Sequence, residues 1–305
     1  MKRAGNLWDV ILSFESLHAA YRAAIKNKRY SKSAAAFSVE LGENLLALRD
    51  ELKTDAYVPG PYRTFTIYEP KLRLISAAPC FSHYQRRFSS VLKMDVEKYF
   101  PSIDHEILKG LLRRKVKCTR TLALADLIID RSNPQEQREL YFPGDELFSP
   151  FERRRGLPIG NLTSQFFANV YLDPIDHFIK ETLGCRGYVR YMDDLCLFSD
   201  SKRELHAWQF AVEGRLASLR LRAKPSKTRV FACKENIGFL GYRCLRSHRR
   251  LERGSLVRAL RRLRFLHRSL VSRRIEPAAF RASFMSWLGH AKWANAKGIV
   301  RGAWD

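Results

Sequence analysis

The sequence predicts an α+β fold: a sheet core with helical additions at each end. Three observations carry that expectation. The stretch YMDDLCLF (191–198), preceded by Gly187–Met192, reads as two short apolar strands joined at an acidic pair. The stretch VLKMDVEKYF (91–100) is a second apolar strand run that holds an acid and stops at Pro101. Along the chain, strand-like and helical patterns follow in the order helix, strand, helix, strand-turn-strand, helix, strand.

The elements follow in turn. Residues 7–52 read as helical, with Val39, Leu45, Leu46, Leu48 and Leu52 on roughly one face. Residues 57–79 switch to a strand-and-turn pattern, with Pro59-Gly60 marking a turn. A short basic piece, SHYQRRFSS, leads into the strand of Asp95. A helix capped by Asp104 runs through Leu112. Residues 119–131 form a further apolar helix, and the polar, proline-bearing stretch 133–155 reads as a loop. GLPIG is a glycine-rich turn before a helix from about Leu162. A strand-turn-strand follows, with Asp193 and Asp194 expected at the tip, then an amphipathic helix and short strands or turns. The basic C-terminal helix spaces Leu256, Leu260, Leu263 and Leu270 helically, with Arg258, Arg261, Arg262, Arg264 and Arg268 around them.

Bulk properties narrow the partners. Hydrophobic residues make up 46% of 305, enough for a folded core rather than a disordered tail. Lys and Arg number 55 against 31 Asp and Glu, a net charge of +24. That excess repels itself unless a polyanion is near, which favours nucleic acid. No apolar run is long enough to span a bilayer, and the first 30 residues do not read as a secretory signal. The six cysteines form no CxxC pair and no zinc spacing with histidine, so a reducing, cytoplasmic compartment is expected. HExxH is absent.

The acids suggest chemistry. Asp95 interrupts an apolar strand as Asp193 does. If their strands are neighbours, the carboxylates repel unless a cation lies between them. Oxygen-only sites suit Mg²⁺, and two such ions can activate a 3′-hydroxyl and stabilise a leaving pyrophosphate. A solvated turn is the competing reading of the Asp-Asp pair.

These residues also carry a family resemblance. YMDD after GYVR resembles the catalytic hairpin of reverse transcriptases, and MDVEKYFPSID resembles their first catalytic strand. GLPIGNLTSQ is similar to their template- and nucleotide-binding turn, SKT (226–228) to the next motif, and GFLGY (238–242) to the primer grip. The five stand in the family's order and spacing. GLPIGNLTSQ, with Ser-Gln, and SWLGHAKWAN (286–295) resemble the enzymes of diversity-generating retroelements. Those enzymes copy a template-repeat RNA into cDNA, misincorporating at adenines, in mutagenic retrohoming.

The resemblance implies a right-hand polymerase, with fingers at 1–90 (shortened near 80–90), a ferredoxin-like palm at 91–246 and a helical thumb at 247–305. It implies RNA-directed DNA polymerase activity and two Mg²⁺, with Mn²⁺ as a substitute. Asp95, Asp193 and Asp194 are the implied catalytic acids, and Val96 joins them as a metal-binding residue. Asp95 and Asp193 would hold both ions. Phe100 resembles the steric gate. Lys71, Arg73, Ile159, Gly160, Gln165 and Lys227 fall at nucleotide-binding positions, and Asn161 and Gln165 near the template. Phe239, Leu240 and Gly241 match the primer grip. Arg258, Arg261, Arg262, Arg264 and Arg268 would follow the backbone of an RNA–DNA hybrid. Many family members carry Gln where this chain has Ile159. Between ISAAP and VLKMD the family has a longer helix-rich fingers segment, whereas here Cys80–Ser90 fills the interval. Implied partners are template RNA, the hybrid, dNTPs and a small basic accessory variability protein, with no membrane. The alternatives are a retron or abortive-infection reverse transcriptase, and a catalytically inactive RNA-binding relic.

Overall fold

The computed structural model describes residues 3–26, 32–60, 77–132, 140–159, 161–292 and 294. Among them the helices are α1 (Leu7–Leu12), α2 (Phe14–Ile25), α3 (Lys32–Val39), α4 (Leu41–Lys53), α5 (Ala77–Arg87), α6 (Tyr99–Ser102), α7 (His105–Lys115), α8 (Thr119–Asp130), α9 (Ser149–Glu152), α10 (Leu162–His177), α11 (Lys202–Ser218), α12 (Arg253–Val271) and α13 (Pro277–Ala291). The strands are β1 (Ser90–Asp95), β2 (Gly187–Tyr191), β3 (Asp194–Ser199), β4 (Arg229–Ala232), β5 (Ile237–Phe239), β6 (Tyr242–Cys244) and β7 (Arg249–Leu251). The chain divides into two compact units. One comprises 1–64, 98–174 and 217–221, and the other 65–97, 175–216 and 222–305.

In the first unit, α1, α2 and α4 close on Trp8, Leu17, Leu45 and Leu52, with Leu48 packed against them. Of the stripe expected from sequence, Val39 and Leu46 are instead exposed, Val39 because it ends α3 rather than lying on α4. Ser13 caps α2 by accepting from the Ser16 N–H at 3.2 Å. Asp104 caps α7 as expected, its Oδ1 accepting from the Ile107 N–H at 3.0 Å. The same buried carboxylate does more. Its Oδ2 accepts from Arg220 Nη1 at 2.7 Å and lies 3.4 Å from Arg153 Nε. Arg153 also pairs with buried Asp145. The Tyr171 hydroxyl accepts from the Asp104 N–H and donates to the Leu219 carbonyl at 2.6 Å. Helix start, loop and distant chain thus meet at one ionic node.

In the second unit, the main sheet has the order β2-β3-β1-β4, antiparallel throughout, the order of a ferredoxin-like sheet. β1 and β3 are buried almost end to end, which explains why they read as continuous apolar runs instead of alternating ones. One face of the sheet, with Val91, Val189, Cys196 and Phe198, joins a core with Phe81, Phe239, Tyr242 and Trp287. Phe81 of α5 stacks on Phe239 at 4.6 Å and meets Phe198 edge-on at 5.1 Å. At Gly187 an added Cβ would stand 2.7 Å from both Phe198 Cβ and the Phe88 ring, so only glycine lets this strand approach. The six cysteines are free thiols.

Two departures from the sequence reading have physical causes. The basic piece before β1 is the body of α5, because Phe81, Tyr84 and Phe88 recur at helical spacing and pack against the sheet core. Its buried Gln85 donates its amide to the carbonyls of Cys233 and Cys244, both at 3.1 Å. A small second sheet, β5-β6-β7, extends the primer-grip-like hairpin by a strand beyond the expected segment. The strand-and-turn expectation over 61–76 lies outside the described residues, as does part of the 133–155 loop.

Candidate active site

β2 and β3 meet in a two-residue turn, Met192–Asp193, closed by the Tyr191–Asp194 pair. The expected tip was Asp193–Asp194. Asp194 is instead the first residue of β3, because Asp95 of β1 gives it a cross-strand partner and extends the ladder. Met192 sits at φ 52°, a left-handed conformation that costs a non-glycine residue ~1–2 kcal/mol. Neighbouring groups hold it there. Arg190 Nη1 donates to the Met192 carbonyl at 3.2 Å. Arg190 is itself gripped by Asp176 through Nε–Oδ1 at 2.7 Å and Nη2–Oδ2 at 2.5 Å, a bidentate pairing with fixed geometry. The Tyr188 hydroxyl donates to the same Asp176 at 2.7 Å.

Asp95 ends β1 directly opposite Asp194. Residues opposed in an antiparallel pair share a face, so both carboxylates stand on one side of the sheet. The Val96 N–H donates to the Asp193 carbonyl at 3.1 Å, tying the turn to the end of β1. Asp95 is only 7% exposed. Like charges so placed destabilise the sheet unless countercharge is near, and two lysines supply it. Lys227 Nζ lies 2.7 Å from Asp95 Oδ2. Lys93 Nζ lies 3.8 Å from Asp194 Oδ1.

Lys227 ends a short 3₁₀ turn, Pro225–Lys227. The chain before that turn is stitched to β1: the Lys224 N–H donates to the Asp95 carbonyl at 2.7 Å, and the Glu97 N–H to the Arg222 carbonyl at 2.8 Å. The hydrogen bond to Asp95 raises the Lys227 pKa above the ordinary lysine value against the opposing effect of burial. Lys227 therefore stays cationic through the neutral range.

Among the described residues, no three or more His, Cys, Asp or Glu side chains gather closely enough to hold a metal ion by themselves. The chemistry of the opposed pair nevertheless fits a hard divalent cation. Mg²⁺ is held by one or two carboxylates, and water and substrate phosphate fill the remaining positions. The two ammonium groups already show where positive charge is accepted.

The other expected residues fall into separate groups. In the first unit, Phe100 lies half-buried on α6, edge-on to Tyr99. Its carbonyl accepts from the Leu157 N–H at 3.0 Å, and the Ile103 carbonyl from the Gly156 N–H at 2.8 Å. The aromatic and the GLPI turn are thus joined by backbone. Ile159 is 59% exposed, and α10 begins at Leu162 as expected. Asn161 and Gln165 are linked through the Gln165 N–H and Asn161 carbonyl at 3.3 Å, with Gln165 exposed. In the second unit, Phe239 is fully buried, while Leu240 and Gly241, at φ 54° and 82°, form the two-residue turn between β5 and β6. Arg258, Arg261, Arg262, Arg264 and Arg268 are all exposed on α12, whose Leu256 and Leu263 pack inward. Lys71, Arg73 and Gly160 lie outside the described residues.

Three supports escaped the sequence reading: Lys93, the Asp176–Arg190 clamp, and His290. The His290 ring and carbonyl both engage the Tyr242 hydroxyl, at 2.9 and 3.0 Å. Burial lowers the His290 pKa, and with Trp287 it seats α13 on the β5–β6 hairpin. The motif SWLGH was visible in sequence, but its packing partner was not.

Comparison with known proteins gives one family: Reverse transcriptase (RNA-dependent DNA polymerase) matches residues 52–244. No curated protein matches the chain. Among solved structures, a telomerase from Candida tropicalis in complex with a fragment of telomeric RNA is similar at 14% identity and a TM-score of 0.41. The match covers 80% of this chain, which spans 39% of that one. No helix among the described residues is long and apolar enough to cross a membrane.

Proposed function

Because the chain belongs to the reverse transcriptase family, its match covering more than half of the sequence, we propose that it is an RNA-directed DNA polymerase. The observation that carries this reading is the Asp95–Asp194 opposition, with Lys227 on Asp95. The proposed organisation is fingers at 1–90, palm at 91–246 and thumb at 247–305.

Asp95, Asp193 and Asp194, with the Val96 backbone, are the proposed ligands of two Mg²⁺, for which Mn²⁺ can substitute. When bound, such ions lower the pKa of a primer 3′-hydroxyl and stabilise negative charge on departing pyrophosphate. The chain's own residues do the rest. Lys227 leaves Asp95 for the nucleotide phosphates and offers a fixed positive charge, or a proton, to the leaving group. Lys71 and Arg73 grip the triphosphate. Phe100 lies against the sugar and excludes a 2′-hydroxyl. The Phe239–Gly241 turn supports the primer end, and the α12 arginines track hybrid phosphates, which are gripped by shape and charge rather than sequence.

The finer reading is a diversity-generating retroelement enzyme that copies a template-repeat RNA, partnered by a small basic accessory protein. GLPIGNLTSQ and SWLGHAKWAN support it against a retron or abortive-infection enzyme. Ile159 deepens it: an apolar, exposed side chain offers no directed hydrogen bond to the nascent pair, and a site with fewer such bonds discriminates less. Ile159→Gln is expected to reduce errors opposite template adenines about tenfold, read by sequencing cDNA. An unchanged adenine error spectrum counts against this role.

Primer extension on an RNA template tests the activity itself. Wild type is expected to extend with dNTPs and Mg²⁺, and Asp193→Asn to lose extension. Equal incorporation by both removes the enzyme reading. Tight RNA binding with no synthesis by wild type favours the inactive relic.

A further inference from the structure

One charged side chain on the acid face has no part in the proposed chemistry. Lys93 lies two residues before Asp95 on β1, so the strand's alternation places it on the same face. It is a lysine flanked on the strand by the fully buried Leu92 and Met94, with its side chain 20% exposed. Holding a lysine there loses side-chain entropy and hydration, so its contacts must offset both. Two are present. Nζ donates to the Gly238 carbonyl at 3.0 Å, and it lies 3.8 Å from Asp194 Oδ1. Gly238 belongs to β5, one residue before the Phe239–Gly241 turn. A single ammonium therefore touches a carboxylate of the acid pair and the backbone of the hairpin that carries the primer-grip-like turn.

The geometry points to Lys93 as a positioning residue that ties the β5–β6 hairpin to the acid pair and sets the charge of that face. This rests on the polymerase reading given above. The tether is electrostatic as well as geometric. A fixed cation beside Asp194 partly neutralises the acid pair, so β1 and β3 stay paired without metal. The same cation repels an arriving divalent ion, so metal affinity is held below what two bare carboxylates would give. The strand itself thus moderates metal affinity, while the carbonyl contact fixes the hairpin against the acids. Lys227 differs. It sits on a turn, its side chain is 53% exposed, and it pairs with the other acid.

Lys93→Met keeps the apolar stem and removes the charge, whereas Lys93→Arg keeps the charge and a donor. Two measurements on the full chain decide. The first is Mn²⁺ affinity without nucleic acid or nucleotide, from the paramagnetic resonance signal of free Mn²⁺. Lys93→Met is expected to bind Mn²⁺ about threefold to tenfold more tightly, and Lys93→Arg to match wild type. A merely structural role would weaken metal binding or leave it unmoved. The second is single-nucleotide incorporation. Lys93→Met is expected to lower kcat about tenfold or more while the hybrid dissociation constant by fluorescence anisotropy stays within about twofold, with Arg restoring kcat. Wild-type Mn²⁺ binding that Lys93→Met leaves unchanged or weakened overturns the positioning role alone. Wild type that binds Mn²⁺ no better than Asp95→Asn overturns the polymerase reading and this inference with it.

Discussion

Asp95→Asn is expected to lower single-nucleotide incorporation on an RNA template at least about 10³-fold, as removal of a group stabilising transition-state charge does. The substitution is nearly isosteric, so β1 keeps its pairing with β3 and β4. What is lost is the anion that holds Lys227 and faces Asp194. Lys227 is more than half exposed and is rehydrated without large cost, so the chain stays folded. Hybrid binding, which we propose is carried by the exposed arginines on α12, is expected to change less than about twofold. Rapid-quench kinetics read the first quantity and anisotropy the second. A loss below about tenfold would mean that the opposition of Asp95 and Asp194 is structural only.

Asp104→Ala is expected to cost roughly 3–5 kcal/mol of stability, the range for breaking a buried ion pair by removing one partner. Asp104 is a buried carboxylate that caps α7 and holds Arg220 and Arg153. Its removal leaves Arg153, itself almost fully buried, with Asp145 as its one remaining carboxylate among the described residues beside the Leu140 carbonyl, and uncaps a helix. Asp104→Asn keeps an oxygen for the Ile107 N–H and is expected to lose less, roughly 1–3 kcal/mol. Urea unfolding followed by circular dichroism orders the three proteins. If Asp104→Ala unfolds within about 0.5 kcal/mol of wild type, the node does not hold the first unit together.

What was legible in the sequence follows the range of the interaction. β1 and β3 announced themselves because strands buried on both faces leave continuous apolar runs, and an acid inside such a run stands out. The cap at Asp104 was legible because it acts within three residues. The hairpin tip was misplaced by one position because Asp propensity for turns competes with pairing, and the deciding partner, Asp95, lies almost 100 residues earlier in the chain. α5 was hidden by its basic, polar composition. Its apolar stripe is narrow, and the buried Gln85 reads as solvent-facing until the carbonyls it serves are known. Lys93 looked like an interruption of a strand because its carbonyl partner is 145 residues away. The Asp104–Arg220 contact spans 116 residues and was equally invisible.

The central claim is that acids on β1, on the β2–β3 turn and at the start of β3 share divalent cations during synthesis. Its most direct test is the number of Mn²⁺ ions bound by the complex of full chain, RNA–DNA hybrid with a 3′-deoxy primer end, and matching dNTP. Two ions per chain are predicted for wild type, and fewer for Asp95→Asn and Asp193→Asn. The same stoichiometry and affinity in all three proteins would contradict the account.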